Sequence, residues 1–325
     1  METAASDSPG LRLEAWLARA GRAGWTLEPL AGDLSSRSYF RVRSPEGETR
    51  VVACYPEELR DAQRRFVLAA GLLARASVRV PVIELDDHAA GFSLLEDLGE
   101  RTLYEHAELE AEARARYLVA ALDSARRIAA LTREEVVALG SPPLDRSLLV
   151  RELENTVRFF LAPRRLAPRG FVAALEELCR RLAEDPPVPC HRDFMVRNLM
   201  PLGPAAVAVL DFQDLRLGPP AYDLASLLND SWFASSELER ELLDRYLPAG
   251  VAPDQYRRAV VQRALKAVGT FTSFAARGDR RRLALVGPTL ERARRHLAEL
   301  PETRAWSREL ASGLADAAAS PETIC

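Results

Sequence analysis

Asp193 and Asn198 stand five residues apart in CHRDFMVRNLM (Cys190 to Met200), and Asp211 follows in VLDFQD. The first stretch is too irregular for a clean helix or strand. Between Asn198 and Asp211 lies LMPLGPAAVAVL, where Pro201, Gly203 and Pro204 mark a turn between two short apolar strands. A hairpin turning near Pro204 and Ala205 makes Asn198 and Asp211 cross-strand neighbours, roughly 5 Å apart at the backbone. Asp193 lies in a loop able to curl back over the same point. Two carboxylates and one amide oxygen then converge. Hard oxygen donors, few in number, suit Mg²⁺ shared with the phosphates of a substrate.

That arrangement has a known mechanical use. His191 to Asn198 fits H-R-D-x-x-x-x-N, the catalytic loop of kinases, and Asp211-Phe212-Gln213 stands where D-F-G holds metal. In that chemistry Asp193 orients and deprotonates the attacking hydroxyl, while Asn198 and Asp211 hold Mg²⁺ against the triphosphate of ATP. The transition state is loose, so positioning and charge neutralisation outweigh base strength. An isolated H-R-D is weak evidence. The asparagine, the hairpin and a D-F eighteen residues beyond Asp193 make the combination specific. Asp and Asn also favour turns for their own sake, which does not explain the joint spacing.

CHRDFMVRNLM, VLDFQDLRLGPPAYDLASLLND and LKAVGTFTSFA resemble the aminoglycoside-phosphotransferase-like kinases. Within that family the likeness runs to the anomeric kinases of N-acetylmuramate and N-acetylglucosamine used in bacterial cell-wall recycling. SYFRV, LLEDLG and SPPLDRSLLVREL fall in the expected order, so the similarity spans roughly residues 30 to 300. The resemblance implies an α+β, two-lobed protein-kinase-like fold. It also implies ATP and Mg²⁺ as cofactors and phosphorylation of a sugar C1 hydroxyl. Asp193 would be the base, and Asn198 and Asp211 the metal ligands. Leu95 to Leu98 would meet adenine through the backbone, with Glu96 and Leu98 in the nucleotide site. His191 and Asp223 would brace the catalytic loop. Arg197, Asp214 and Lys266 are the candidates on the acceptor side.

Two departures bear on the phosphates and the acceptor. Protein kinases carry a lysine on the third strand, and RVVACYP has none, a gap the resembling sugar kinases share. No glycine-rich loop is present either; GDLSSRSYF offers Ser35, Ser36 and Arg37, whose hydroxyls, backbone N–H groups and guanidinium are expected to hold the phosphates. Asn229 stands where the family pattern leads one to expect Arg, which bears on the acceptor pocket.

Several of these side chains also have plain structural readings. Arg192 is expected to pair with a nearby carboxylate, and Cys190 to fill apolar space. Asp214 faces the substrate or caps a turn. Lys266, the only lysine in the chain, reads as a surface or helix-packing residue. Its retention where the other bases are Arg also admits a role, since the two differ in geometry.

These residues need a scaffold. LRLEAWLARAG reads as a helix closed by Gly21, and WTLEPL, SYFRVR and RVVACYP read as strands around the SPEGE turn. Leu59, Ala62, Phe66, Ala69 and Leu73 recur at helical spacing, then VPVIELD and GFSLLEDLG give two more strands. After Gly99 the pattern is helical. Residues 1–10 are expected to be disordered, 11–98 to form the nucleotide-binding lobe, and 99–325 the helical lobe with catalytic loop and acceptor site.

Composition narrows the class. The 325 residues carry a net charge of −3 from 44 basic and 47 acidic side chains, with no basic face for nucleic acid. The aliphatic run AAVAVL is far short of the roughly 20 residues of a membrane span. Four scattered cysteines fit a reducing cytoplasm. With the resemblance, the expected partner is a small-molecule acceptor, with no nucleic acid, membrane or evident protein partner. Two rivals stay open. One is a kinase for a cationic acceptor such as an aminoglycoside or choline, to which the acidic and aromatic residues of NDSWFASSELERELLDRY could contribute. The other is a nucleotide-binding pseudokinase scaffold. A protein kinase is disfavoured, because Asp211 to Pro220 is too short for a peptide-binding activation loop.

Overall fold

A computed structural model of the chain describes residues 9–30 and 37–307. Of the ten N-terminal residues, 1–8 fall outside it, and Pro9 opens helix α1 (Pro9–Arg19). The described residues form two compact units. One runs to Arg101 and takes in Ala208–Asp214; the other spans Thr102–Val207 and resumes at Leu215.

The first unit is a five-stranded antiparallel sheet with two helices. Strands β1 (Thr26–Leu30), β2 (Ser38–Arg43) and β3 (Thr49–Cys54) precede α2 (Arg60–Arg75), and β4 (Ile83–Asp87) and β5 (Phe92–Glu96) follow it. The sheet order is β1-β2-β3-β5-β4, with Val52 opposite Leu94 and Ala53 opposite Ser93. Leu13, Trp16 and Leu17 of α1 bury against Val42, Val52, Phe92 and Leu94. The α2 face of Phe66, Ala69, Leu72 and Leu73 is buried at the spacing the sequence shows. Gly91 closes the β4–β5 turn at φ +78, and a Cβ there would fall 2.4 Å from the Tyr55 carbonyl oxygen. Only glycine meets both demands.

The second unit is mainly helical. It contains α3 (Ala111–Ala129), α4 (Arg133–Val137), α5 (Arg146–Glu152) and α6 (Arg169–Leu182). Short strands β6 (Val188–Cys190), β7 (Leu199–Pro201), β8 (Val207–Val209) and β9 (Arg216–Gly218) come next in the chain. Then follow α7 (Tyr222–Leu228), α8 (Ser236–Tyr246), α9 (Pro253–Ala275) and α10 (Val286–Glu299). Helix α9 is the hub, packed against α6, α7, α10 and a π-helical turn at Thr156–Leu161. Helix α5 ends at Glu152 and the π-turn follows.

The hairpin in LMPLGPAAVAVL is present as β7 paired with β8. The Leu202 N–H donates to Ala206 O at 2.8 Å, and Tyr117 of α3 donates its hydroxyl to Gly203 O at 2.5 Å. No described helix is long and apolar enough to cross a membrane.

Candidate active site

The chemistry-bearing residues fall on both units. In the helical unit, β6 pairs antiparallel with β9, setting Cys190 opposite Arg216 and Val188 opposite Gly218. The absent Cβ of Gly218 makes room for the Cys190 sulfur. Burial pushes that thiol well above its ordinary range, so Cys190 fills space. Beyond β6 the chain turns through Arg192 at φ +76, in the left-handed region. The Asp223 carboxylate, in the first turn of α7, accepts the His191 N–H at 2.7 Å and the Arg192 N–H at 2.9 Å. One buried acid therefore clamps two consecutive amides of a strained loop. Burial raises its pKa, against the pull of those two bonds and of His191. His191 is fully buried and sets its ring edge-on to Phe194 at 5.5 Å.

Asp193 follows this clamp. Its Oδ1 lies 3.2 Å from Lys266 Nζ and 3.2 Å from Arg263 Nη2, both on α9. Its Oδ2 lies 3.6 Å from Arg192 Nη1. Burial by itself would raise the carboxyl pKa; the three cations outweigh it and hold Asp193 well below the usual carboxylate range. Glu152, at the end of α5, anchors the cations from behind. It accepts Arg192 Nε at 3.0 Å and Nη2 at 2.7 Å, and lies 3.1 Å from Lys266 Nζ. The reading of Lys266 as a surface lysine is thereby corrected: its side chain is 12 % exposed and bridges two carboxylates. Arg192 has the carboxylate partner expected of it. Asn198 donates Nδ2 to Asp193 O at 2.8 Å, which ties the two ends of the loop and commits the amide nitrogen rather than the oxygen.

In the sheet unit, Asp211 comes two residues after β8, also left-handed at φ +58. Arg37 Nη2 donates to its Oδ1 at 3.0 Å and Gln213 Nε2 to the same oxygen at 2.7 Å. The next residue, Phe212, is fully buried and stacks on Phe66 of α2 at 4.7 Å, while the Val209 N–H donates to Arg79 O at 2.8 Å. The segment is thus anchored on both sides of Asp211. Burial works against the Arg37 charge, and Tyr39, Asp211 and Tyr55 outweigh it, so its pKa is raised. Ser35 and Ser36 lie outside the described residues. Asp214 ends the short turn Phe212–Asp214, half-buried.

The segment after β5 is braced from both flanks. Glu96 accepts from Arg79 and from the Val82 N–H. Asp97 takes Arg41 through two bonds, at 2.7 and 3.1 Å, and Arg41 also donates to Gly99 O at 2.9 Å. The Glu96 side chain is therefore occupied in structure. The Leu98 backbone between the braces makes no hydrogen bond among the described residues.

Arg197 donates to Ser231 Oγ at 3.2 Å and stacks on the Tyr104 ring at 4.2 Å. Asn229 is buried, donating to Ala225 O at 3.1 Å and the Tyr256 hydroxyl at 2.9 Å. Glu152 and Arg263 went unnoticed in the sequence. Their one signal is position: a charge on the apolar stripe Leu149–Glu152–Leu153, and another between the buried Val260 and Ala264.

The sequence matches the model of the phosphotransferase enzyme family over residues 26–259. It is 34% identical over 276 residues to an N-acetylmuramate/N-acetylglucosamine kinase of Pseudomonas aeruginosa, covering 79% of each chain. To the enzyme of the same name from Neisseria meningitidis it is 32% identical over 268 residues, covering 74% of this chain and 76% of the relative. Among solved structures, a choline kinase of Streptococcus pneumoniae superposes with a TM-score of 0.62 at 14% identity, over 94% of this chain and 98% of that one. An ADP-bound aminoglycoside phosphotransferase gives 0.60 at 17% identity, over 88% and 97%. At such identities these two likenesses speak for the kinase-like fold alone.

Proposed function

Because the chain belongs to the phosphotransferase enzyme family, we propose that it transfers the terminal phosphoryl group of ATP to the anomeric hydroxyl of an amino sugar such as N-acetylmuramate or N-acetylglucosamine. The observation that carries this reading is the Asp193 carboxylate, partly accessible at 25 % exposure and ringed by Lys266, Arg263 and Arg192. A carboxylate so stabilised is a weak proton acceptor. Its main work is to align the acceptor hydroxyl, which is what a loose transition state asks of it.

Asn198 Oδ1 and the Asp211 carboxylate are the hard oxygens that would hold Mg²⁺. The ion would neutralise charge on the phosphates where the third strand offers no lysine. Arg37, beside Asp211, supplies a further positive charge for them. The Leu98 backbone meets adenine, with Glu96 and Asp97 as braces. Asp223 and His191 hold the loop, and Arg197 and Asp214 lie on the acceptor side.

An amino-sugar acceptor is supported by the names of relatives at 34% and 32% identity. The cationic-acceptor alternative needs open aromatic faces. In the stretch proposed for it, guanidinium groups already cover Trp232 (Arg114, 5.4 Å), Phe233 (Arg292, 5.7 Å) and Tyr246 (Arg126, 4.5 Å).

The test is turnover of ATP against a panel of amino sugars, aminoglycosides and choline, with the product read by phosphorus NMR. An anomeric phosphate is expected from amino sugars alone, abolished by EDTA and restored by Mg²⁺. Asp193→Asn should lower kcat by about 10³-fold. Tight nucleotide binding without turnover on any acceptor would favour the scaffold instead.

A further inference from the structure

Lys266 is the only lysine in 325 residues, and its position is unusual for a lysine. It rises from the middle of α9 and places one nitrogen 3.2 Å from Asp193 Oδ1 and 3.1 Å from Glu152 Oε1. One turn earlier on the same helix, Arg263 approaches that same Oδ1 at 3.2 Å and is itself fixed by donating Nε to Ser226 Oγ at 2.9 Å. Both cations therefore grip one oxygen of the carboxylate. The other, Oδ2, faces Arg192 at a longer 3.6 Å.

We propose that Lys266 is a positioning residue for phosphoryl transfer: with Arg263 it pins Oδ1 of Asp193, and so presents Oδ2 to the acceptor hydroxyl. The inference rests on the reading of Asp193 as the group that meets the acceptor. A compact ammonium serves two carboxylates from one nitrogen, whereas a guanidinium spreads its donors over a planar fork. Glu152 is the fixed end of the pair, held in addition by Arg192 and by Gln262 Nε2 at 3.3 Å. The charged and titratable groups around Lys266 and Asp193 come from four elements. They are Arg192 on the loop, Glu152 on α5, Tyr222 and Asp223 on α7, and Arg263 on α9. Burial lowers the Lys266 pKa, and Asp193 and Glu152 pull it back up.

Two measurements decide the matter. In the first, Lys266→Met should lower kcat by about 10²-fold, the scale of a small misplacement. KM for ATP should stay unchanged, so that the loss falls on kcat alone. Lys266→Arg should recover part of kcat. A lysine that merely packs would leave kcat of the folded fraction at its wild-type value, which would overturn the proposal.

The second needs no variant of the lysine. Enzyme labelled with ¹⁵Nζ-lysine should give one side-chain signal, and Asp193→Asn should lower its titration midpoint by removing the anion that raises it. An identical midpoint in both proteins would overturn the pairing even if Lys266→Met fails to fold. If Asp193→Asn keeps wild-type kcat, the assignment of Asp193 falls, and this inference with it; a lost kcat with an unmoved lysine midpoint defeats this inference alone.

Discussion

Arg192 and Asp211 share a backbone feature, φ of +76 and +58. Asp adopts the left-handed region more readily than Arg, so Arg192 is the more demanding of the two, at a cost on the order of 1–3 kcal/mol. Something must hold it, and the Asp223 carboxylate does so by accepting two consecutive N–H groups. Asp223→Ala should destabilise the chain by about 3 kcal/mol, the scale of leaving buried donors unmade. It should lower kcat as well, because Asp193 is the next residue. Denaturant unfolding and steady-state kinetics measure the two. Equal stability with lost activity would assign Asp223 to the chemistry rather than to the loop. Arg37→Ala should raise KM for ATP about tenfold and leave KM for the acceptor unchanged; an unchanged KM for ATP would remove Arg37 from the phosphate site. Asp193, Asn198 and Asp211 stood out in the sequence because motif spacing is local. Glu152 and Arg263 did not, because a charge on a helix reads as solvated until the fold buries it.

The elements show where pattern reading works and where it stops. The five strands of the sheet and helices α1 and α2 each follow a stretch whose apolar residues or punctuation predict them, and α3, α6, α8, α9 and α10 meet the helical pattern after Gly99. Helix α7 escaped because all seven of its residues are buried, and a helix covered on every side has no apolar stripe to detect. Strands β6 and β9, three residues each, are too short to show alternation. The break after α5 comes from packing: Gly269 of α9 lets the π-turn approach so closely that a Cβ would sit 2.4 Å from the Thr156 nitrogen. Thr156 Oγ1 also donates to Leu265 O of the same helix at 2.6 Å. Helix propensity would favour Gly269→Ala by up to about 1 kcal/mol. The clash, with backbone atoms that cannot swing away, costs more, on the order of 1–3 kcal/mol. Gly269→Ala should therefore destabilise the chain on net in urea unfolding. Since Lys266 lies one turn away, it should depress kcat as well. A stabilised variant with full activity would mean the π-turn yields freely.

Across the molecule, the sheet unit is discontinuous in sequence, because Ala208–Asp214 returns to it after a long excursion through the helical unit. The helical unit carries a second buried polar network apart from Asp193. Tyr256 donates to Glu239 Oε1 at 2.5 Å, Arg292 Nη1 donates to Glu239 Oε2 at 3.0 Å, and the His296 ring meets Tyr256 edge-on at 5.9 Å. Burial pushes the His296 pKa down to about 4; Glu239, at 3.8 Å, pulls the other way but is outweighed. The folded chain therefore keeps this ring neutral where the unfolded chain, near its ordinary value of about 6.5, takes up a proton. Between those two values the unfolded state binds more protons, so stability rises with pH across the window and is lost on acidification. The full loss from this one group is on the order of 3 kcal/mol. Urea unfolding of the wild type at pH 7 and pH 5 should show about half of it or more. His296→Phe, which cannot protonate, should flatten the difference while keeping the ring against Tyr256. An undiminished difference in that variant would move the acid sensitivity away from this helix and onto the carboxylates.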